Sequence, residues 1–212
     1  RQYGKTTTLM LLWRRLKERY IVINTSFEGM GSEAFGTEDT FVRRICARFA
    51  RGLQMSGYHE AQGKLWDTFA PEENLDTLKE RITAFCAQAD REVLLFIDEV
   101  DKSTDNQMFL NFLGLLRELY LERAFGTVTF KSVILAGVYD IKYLKIKYRP
   151  DEERKYNSPW NVAVDFPVDM RLSVPEICSM LREYRAEKGI SLEAEGMAEE
   201  IYRYTGGYPF LV

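Results

Sequence analysis

Two short stretches carry residue types that could do chemistry together. The first is Gly4, Lys5 and Thr6, within the run Arg1, Gln2, Tyr3, Gly4, Lys5, Thr6, Thr7. It reads as the back half of G-x-x-x-x-G-K-[ST], so the first position of the pattern would precede residue 1. A glycine lets backbone N–H groups close around a phosphate, a lysine reaches the terminal phosphates, and a hydroxyl ligates magnesium. The second stretch is the apolar run Val93, Leu94, Leu95, Phe96, Ile97, followed at once by Asp98 and Glu99. Two carboxylates at the end of a buried strand are costly unless they bind something. With a phosphate loop upstream, Asp98 would hold magnesium through its water shell and Glu99 would take the proton of an attacking water.

Such residues need a rigid frame. Apolar spacing predicts helices over residues 6–18, 38–53, 75–89, 106–121 and 195–204, and a further one begins where Ser173 and Glu176 have capping-box spacing. Strands are expected over 20–25, 93–97, 132–136 and 162–166, with 52–73 irregular. Strands alternating with helices predict an α/β fold, a parallel sheet with helices on both faces. Gly4, Asp98 and Gly137 would then converge at the carboxyl ends of the strands, where such sheets bind ligands. The strand feeding the phosphate loop is expected upstream of residue 1, and these residues without it are expected to be unstable or inactive.

The chain resembles the P-loop ATPases of the AAA-like and signal-transduction type, a group that includes archaeal-type ATPases and bacterial AAA-like domain proteins. A third mark, Thr205, Gly206, Gly207, Tyr208, Pro209 and Phe210, is similar to the glycine-x-proline motif that follows the nucleotide-binding core in that family. The three marks span the whole chain. The resemblance implies a P-loop NTPase core of the additional-strand, catalytic-glutamate type over residues 1–170, then the beginning of a small helical lid subdomain over 171–212. It implies ATP and Mg2+ as ligands. Gln2, Tyr3, Gly4, Lys5, Thr6 and Thr7 would bind the phosphates, Thr6 and Asp98 the metal, and Tyr208 and Pro209 the base. Lys5 and Glu99 would be catalytic.

The family carries a polar sensor at the end of the fourth core strand, and here that place reads Leu135, Ala136, Gly137, Val138, Tyr139, Asp140, without Asn, Thr or Ser. Tyr139 or Asp140, or an arginine finger at Arg149 or Arg154, would have to substitute. Asp151, Glu152 and Glu153 neutralise that basic segment, which favours a solvated, self-paired loop. By the same default Arg43, Arg44, Arg48 and Arg51 form a solvated helix face. On sequence physics alone Gly206 and Pro209 read as a helix C-cap followed by a proline.

The function expected is ATP binding and Mg-dependent hydrolysis driving a conformational switch in a larger protein. The alternative is a degenerate module that binds a nucleotide or partner without turnover. Protein partners or self-association would be specified outside this stretch, and nucleic acid is left open.

Composition narrows the field further. Hydrophobic residues make up 46% and charged residues 29% of the 212, with a net charge of −3, which places the chain among soluble globular proteins and against a general nucleic-acid-coating surface, while leaving room for a local basic patch. No run of about 18 apolar residues is present. Cys46, Cys86 and Cys178 have no metal-ligand spacing and read as reduced core thiols of a cytoplasmic protein. The single histidine, His59, and the absence of G-x-S-x-G argue against a serine hydrolase. Gly29, Gly31 and Gly36 have the wrong spacing for a dinucleotide fingerprint and read as a loop.

Overall fold

The computed structural model describes residues 4–58, 66, 68–100, 106–137, 163–164 and 169–212. The chain divides into two compact units, Thr8–Val164 and a second made of Arg1–Thr7 with Asp165–Val212.

The larger unit is built on three parallel strands, β1 (Ile21–Ser26), β2 (Val93–Asp98) and β3 (Ser132–Leu135), in the order β1-β2-β3. Ile21 stands opposite Val93 and Ser26 opposite Asp98, while Leu94 pairs with Ser132. Every residue of β2 is buried, which is why its sequence is a continuous apolar run rather than an alternating one. Helix α1 (Lys5–Leu16) covers one face through Leu9, which clusters with Val22, Leu94 and Phe96. Helices α2 (Glu38–Met55), α3 (Leu75–Gln88) and α4 (Gln107–Glu122) cover the other, packing Phe41, Phe49, Ile82, Phe112 and Leu116 against Ile23, Leu95 and Ile97. Successive β2 side chains therefore go to opposite layers, and Asp98 falls on the α1 face with Leu94 and Phe96.

The outer edge of β1 is closed by a helix. Phe27 N–H donates to Asp98 O and Ile21 N–H to Glu92 O, so the odd-numbered residues face β2 and the carbonyls of Val22, Asn24, Ser26 and Glu28 face outward. Helix α2 lies along that edge with every fourth residue against it. Ser56, just past the helix, donates its hydroxyl to Val22 O at 2.5 Å; Arg48 donates to Ser26 O and, at 3.0 Å, to Glu28 O. Between them Gly52 lies against Asn24, where a Cβ would stand 2.7 Å from Asn24 O. Two residues of strand and four of helix advance about 6 to 7 Å each, so the match holds along the whole edge. Capping an edge in this way removes a template for intermolecular pairing. The arginines of α2 are thus not simply a solvated face: Arg48 holds β1, and Arg43 pairs with Asp39 and reaches Ala70 O at 2.8 Å.

Glu73, whose side chain is fully buried, tethers the segment before α3. It accepts from Arg81 and from Ala70 N–H at 2.6 Å and from the Thr77 hydroxyl at 2.7 Å. Burial alone would raise its pKa, but these hydrogen bonds and the guanidinium together hold it below the usual carboxylate range. All three cysteines are buried and free, and burial pushes the Cys86 thiol up to about 12, which makes it inert. Of the strand expected over 162–166, Ala163 and Val164 are described and are not in a strand, and the rest lies outside the described residues.

In the smaller unit, α5 (Val174–Lys188) and α6 (Ala194–Thr205) pack through Ile177, Cys178, Ala194 and Ala198. The expected capping box is present, with Glu176 accepting from Ser173 N–H at 2.7 Å. Gly206 ends α6 in the left-handed conformation at φ 60°, and Gly207 follows at φ 75°. Leu172 N–H donates to Gly207 O at 2.7 Å, so the turn after α6 is tied to the entry of α5. A Cβ on Gly207 would meet Leu172 O at 2.0 Å. Gly207→Ala is accordingly expected to cost this unit about 2–4 kcal/mol. The check is amide exchange in α5 and α6, which should accelerate by a factor on the order of 100.

Candidate functional site

Three chain segments leave the sheet side by side at its carboxyl end. Phe27 follows β1 and donates its N–H to Asp98 O at 3.0 Å; Ala136 follows β3, donates to Ile97 O at 2.8 Å, and accepts from Val100 N–H at 3.1 Å. Phe27 is itself fixed by an edge-to-face contact with Phe109 of α4, ring centroids 5.1 Å apart. The start of Asp98 and Glu99 is therefore held from both neighbouring strands.

Asp98 is 8% exposed and accepts Glu99 N–H at 2.9 Å, while Glu99 itself is half-buried. Glu99 has φ 56°, the one non-glycine with positive φ among the described residues. That conformation costs a side-chain-bearing residue roughly 1–2 kcal/mol. Residues held so tend to cluster where geometry matters to function. Here the backbone turns sharply as soon as β2 ends, so Glu99 leaves the direction of the strand while Asp98 stays on the α1 face. The sequence contained no sign of this turn.

Ser26 is a further polar side chain at this end of the sheet. Its register opposite Asp98 puts the two on the same face of the sheet, and its hydroxyl accepts Glu28 N–H at 3.0 Å. Alternation along Ile21–Ser26, once paired with Val93–Asp98, was the signal that could have found it.

Gly4, in the smaller unit, has φ 76° just before α1. A Cβ there would meet nothing closer than Met170 Sδ at 3.6 Å, so the backbone conformation rather than crowding requires glycine. Gly4 and Lys5 are half-buried, and Thr6 and Thr7 are exposed. The first turn of α1 carries no acidic side chain, so its dipole favours an anion there. Tyr208 is 46% exposed; its carbonyl accepts from Leu211 N–H at 2.8 Å, and Pro209 is half-buried. The glycines before them form the helix C-cap that sequence physics favoured. Gln2, Tyr3, Tyr139, Asp140, Arg149 and Arg154 lie outside the described residues, as does His59. Leu135, Ala136 and Gly137 are described and offer no polar side chain at the end of β3.

A cavity of about 450 Å³ opens at the opposite, amino-terminal end of β2, bordered by Asp90, Arg91, Glu92, Arg123 and Lys131. Its charges are largely spent on one another, Lys131 pairing with Glu92 at 2.8 Å.

The family model of the AAA-like domain matches residues 1–212. The chain belongs to the AAA-like domain family. No curated protein matches it significantly. An AAA-like domain is a nucleotide-binding, ATPase-like module, which accords with an acid-tipped central strand in a parallel sheet covered by helices. Among the described residues no helix of this AAA-like domain is long and apolar enough to cross a membrane. Nor do they hold a group of three or more His, Cys, Asp or Glu side chains able to take a metal by themselves.

Proposed function

We propose that this AAA-like domain binds ATP with magnesium and hydrolyses it as the switch of a larger cytoplasmic protein. Its core, residues 1–170, would be a P-loop NTPase of the additional-strand, catalytic-glutamate type, and residues 171–212 would begin a helical lid. The observation that carries the reading is the pair Asp98 and Glu99, one buried and the other turned aside, at the carboxyl end of the central strand.

The donor chemistry fits magnesium. That ion keeps several waters and takes one or two protein carboxylates plus phosphate oxygens, so it has no need of a three-carboxylate cluster. Asp98 and the Thr6 hydroxyl would hold it, and when bound it neutralises charge on the phosphates.

The remaining work falls to the chain's own groups. Backbone N–H groups at Gln2, Tyr3, Gly4 and Thr7 enclose phosphate oxygens, and Lys5 supplies a point charge to the β and γ phosphates. Glu99 accepts the proton of the attacking water. Tyr208 and Pro209 flank the base. The reaction is an in-line displacement governed by positioning and electrostatics, without a covalent intermediate. Asp140, Arg149 and Arg154 are the candidates for sensor or arginine finger. Partner proteins or self-association would couple the switch to its output.

Lys5→Ala removes one charge-assisted contact to phosphate and is expected to weaken a fluorescent ATP analogue by about 10- to 150-fold. Equal affinity for parent and variant in that titration would remove Lys5 from the site. The apolar end of β3 favours a second reading, a module that binds nucleotide without turnover. A single-turnover ATPase measurement separates the two.

A further inference from the structure

Positive charge is concentrated in the first part of the chain. Residues 1–58 hold ten Lys and Arg against five Asp and Glu, a net of +5 in a chain of −3, so residues 59–212 carry −8. Elsewhere the described cations are mostly matched: Lys79 with Glu118 and Glu122, Arg81 with Glu73, Arg171 with Asp169, Arg182 with Glu195. Arg14, Lys17, Arg44 and Arg51 are exposed and take no carboxylate among the described residues.

These four share one flank of the larger unit. Arg44, Arg48 and Arg51 are spaced i, i+4, i+7 on α2, which is one side of a helix. That side is fixed by Arg48, whose guanidinium is spent on the outward carbonyls of Ser26 and Glu28, so Arg44 and Arg51 line the capped edge of β1. The three are close enough that burial and then the charges of Arg51 and Arg44 lower the Arg48 pKa. At the far end of α2, Ser56 accepts the Trp13 indole N–H at 3.2 Å, which brings the end of α1 alongside. Lys17 lies over the Trp13 ring at 4.9 Å and continues the helical turn, donating its N–H to Trp13 O at 2.9 Å, so Arg14, three residues before it, shares its side. The row thus follows α2 and bends onto α1.

We propose that this flank binds the phosphodiester backbone of a single strand of nucleic acid. Arginine forks match phosphate oxygens, and a row of cations answers a polymer charged at every unit. A folded acidic partner would look for a broad apolar centre, whereas α2 exposes one large apolar side chain, Met55, and α1 exposes two, Met10 and Leu11. A flexible strand follows the bend from α2 to α1, whereas a duplex, stiff over about 150 base pairs, does not. Nothing here depends on the nucleotide site.

The test is fluorescence anisotropy of a labelled twelve-nucleotide DNA strand against the protein without ATP. Binding is expected at 50 mM salt. Neutralising three to four phosphates predicts a weakening of about 20- to 50-fold at 200 mM. The quadruple variant Arg14→Gln, Lys17→Gln, Arg44→Gln, Arg51→Gln should lose binding with its circular dichroism and melting unchanged, while Lys188→Gln with Arg203→Gln should bind as the parent does. Arg48 is left intact because it holds β1. Absence of binding at 50 mM, parental affinity in the quadruple variant, or equal or tighter binding of a duplex or of polyglutamate would each overturn the assignment.

Discussion

Glu99→Gln is expected to lower ATP turnover by about 10²- to 10⁴-fold, the ordinary worth of a positioned general base, while ATP binding stays within about threefold of the parent. The substitution is informative because so little else changes. Glutamine has the same length and is as strained as glutamate at φ 56°, so the turn after β2 should persist. What it cannot do is accept a proton as a carboxylate does. The complementary variant, Glu99→Gly, relieves the backbone strain and removes the carboxylate. It should be as inactive as the glutamine variant, with stability unchanged or raised by up to about 1 kcal/mol. Single-turnover hydrolysis beside a denaturation curve reads both effects. Turnover at the parental rate in Glu99→Gln would remove Glu99 as the base while leaving nucleotide binding standing.

Much of the frame was legible because one face or both faces of each element are committed to apolar neighbours. Val93–Ile97 has the length and composition of a strand buried on both faces, and Phe41, Ile45, Phe49 and Leu53 repeat as the apolar stripe of a helix; both expectations agree with the structure. The Ser173 and Glu176 capping box was equally plain, since its chemistry is local. Features that depend on what lies across the fold were not legible. The turn at Glu99 is imposed by strands on either side of it, Ser26 becomes a neighbour of Asp98 only through strand register, and the role of Arg48 needs the outward carbonyls of β1. Gly52 is the clearest instance. The apolar spacing carries the helix through Gly52 to Leu53, while Gly52, Gly57, Gly63 and Pro71 together make 52–73 read as irregular; α2 in fact continues to Met55, and nothing in the sequence tells why a glycine stands at 52.

Gly52→Ala is expected to destabilise the larger unit by about 2–4 kcal/mol, although alanine is the better helix former by about 1 kcal/mol. The added Cβ would stand 2.7 Å from Asn24 O, 3.2 Å from Asn24 N and 3.2 Å from Ile23 Cγ2. Two of those three are backbone atoms of a strand hydrogen-bonded along its other edge to β2, so they cannot yield, and α2 must lift instead. Lifting lengthens the Arg48 and Ser56 bonds to β1 and loosens Phe49 and Leu53, both buried in the core. Gly114, in the interior of α4, is the internal control: nothing lies within 4 Å of the Cβ it would gain. Gly114→Ala should therefore show the helix propensity alone, a gain of about 1 kcal/mol. The two substitutions are chemically identical and both sit in helix interiors, so opposite shifts in the urea midpoint isolate the close approach of α2 to β1. If Gly52→Ala moved the midpoint upward as Gly114→Ala does, the helix would not be seated on the strand edge, and the account of how β1 is closed would fail with it.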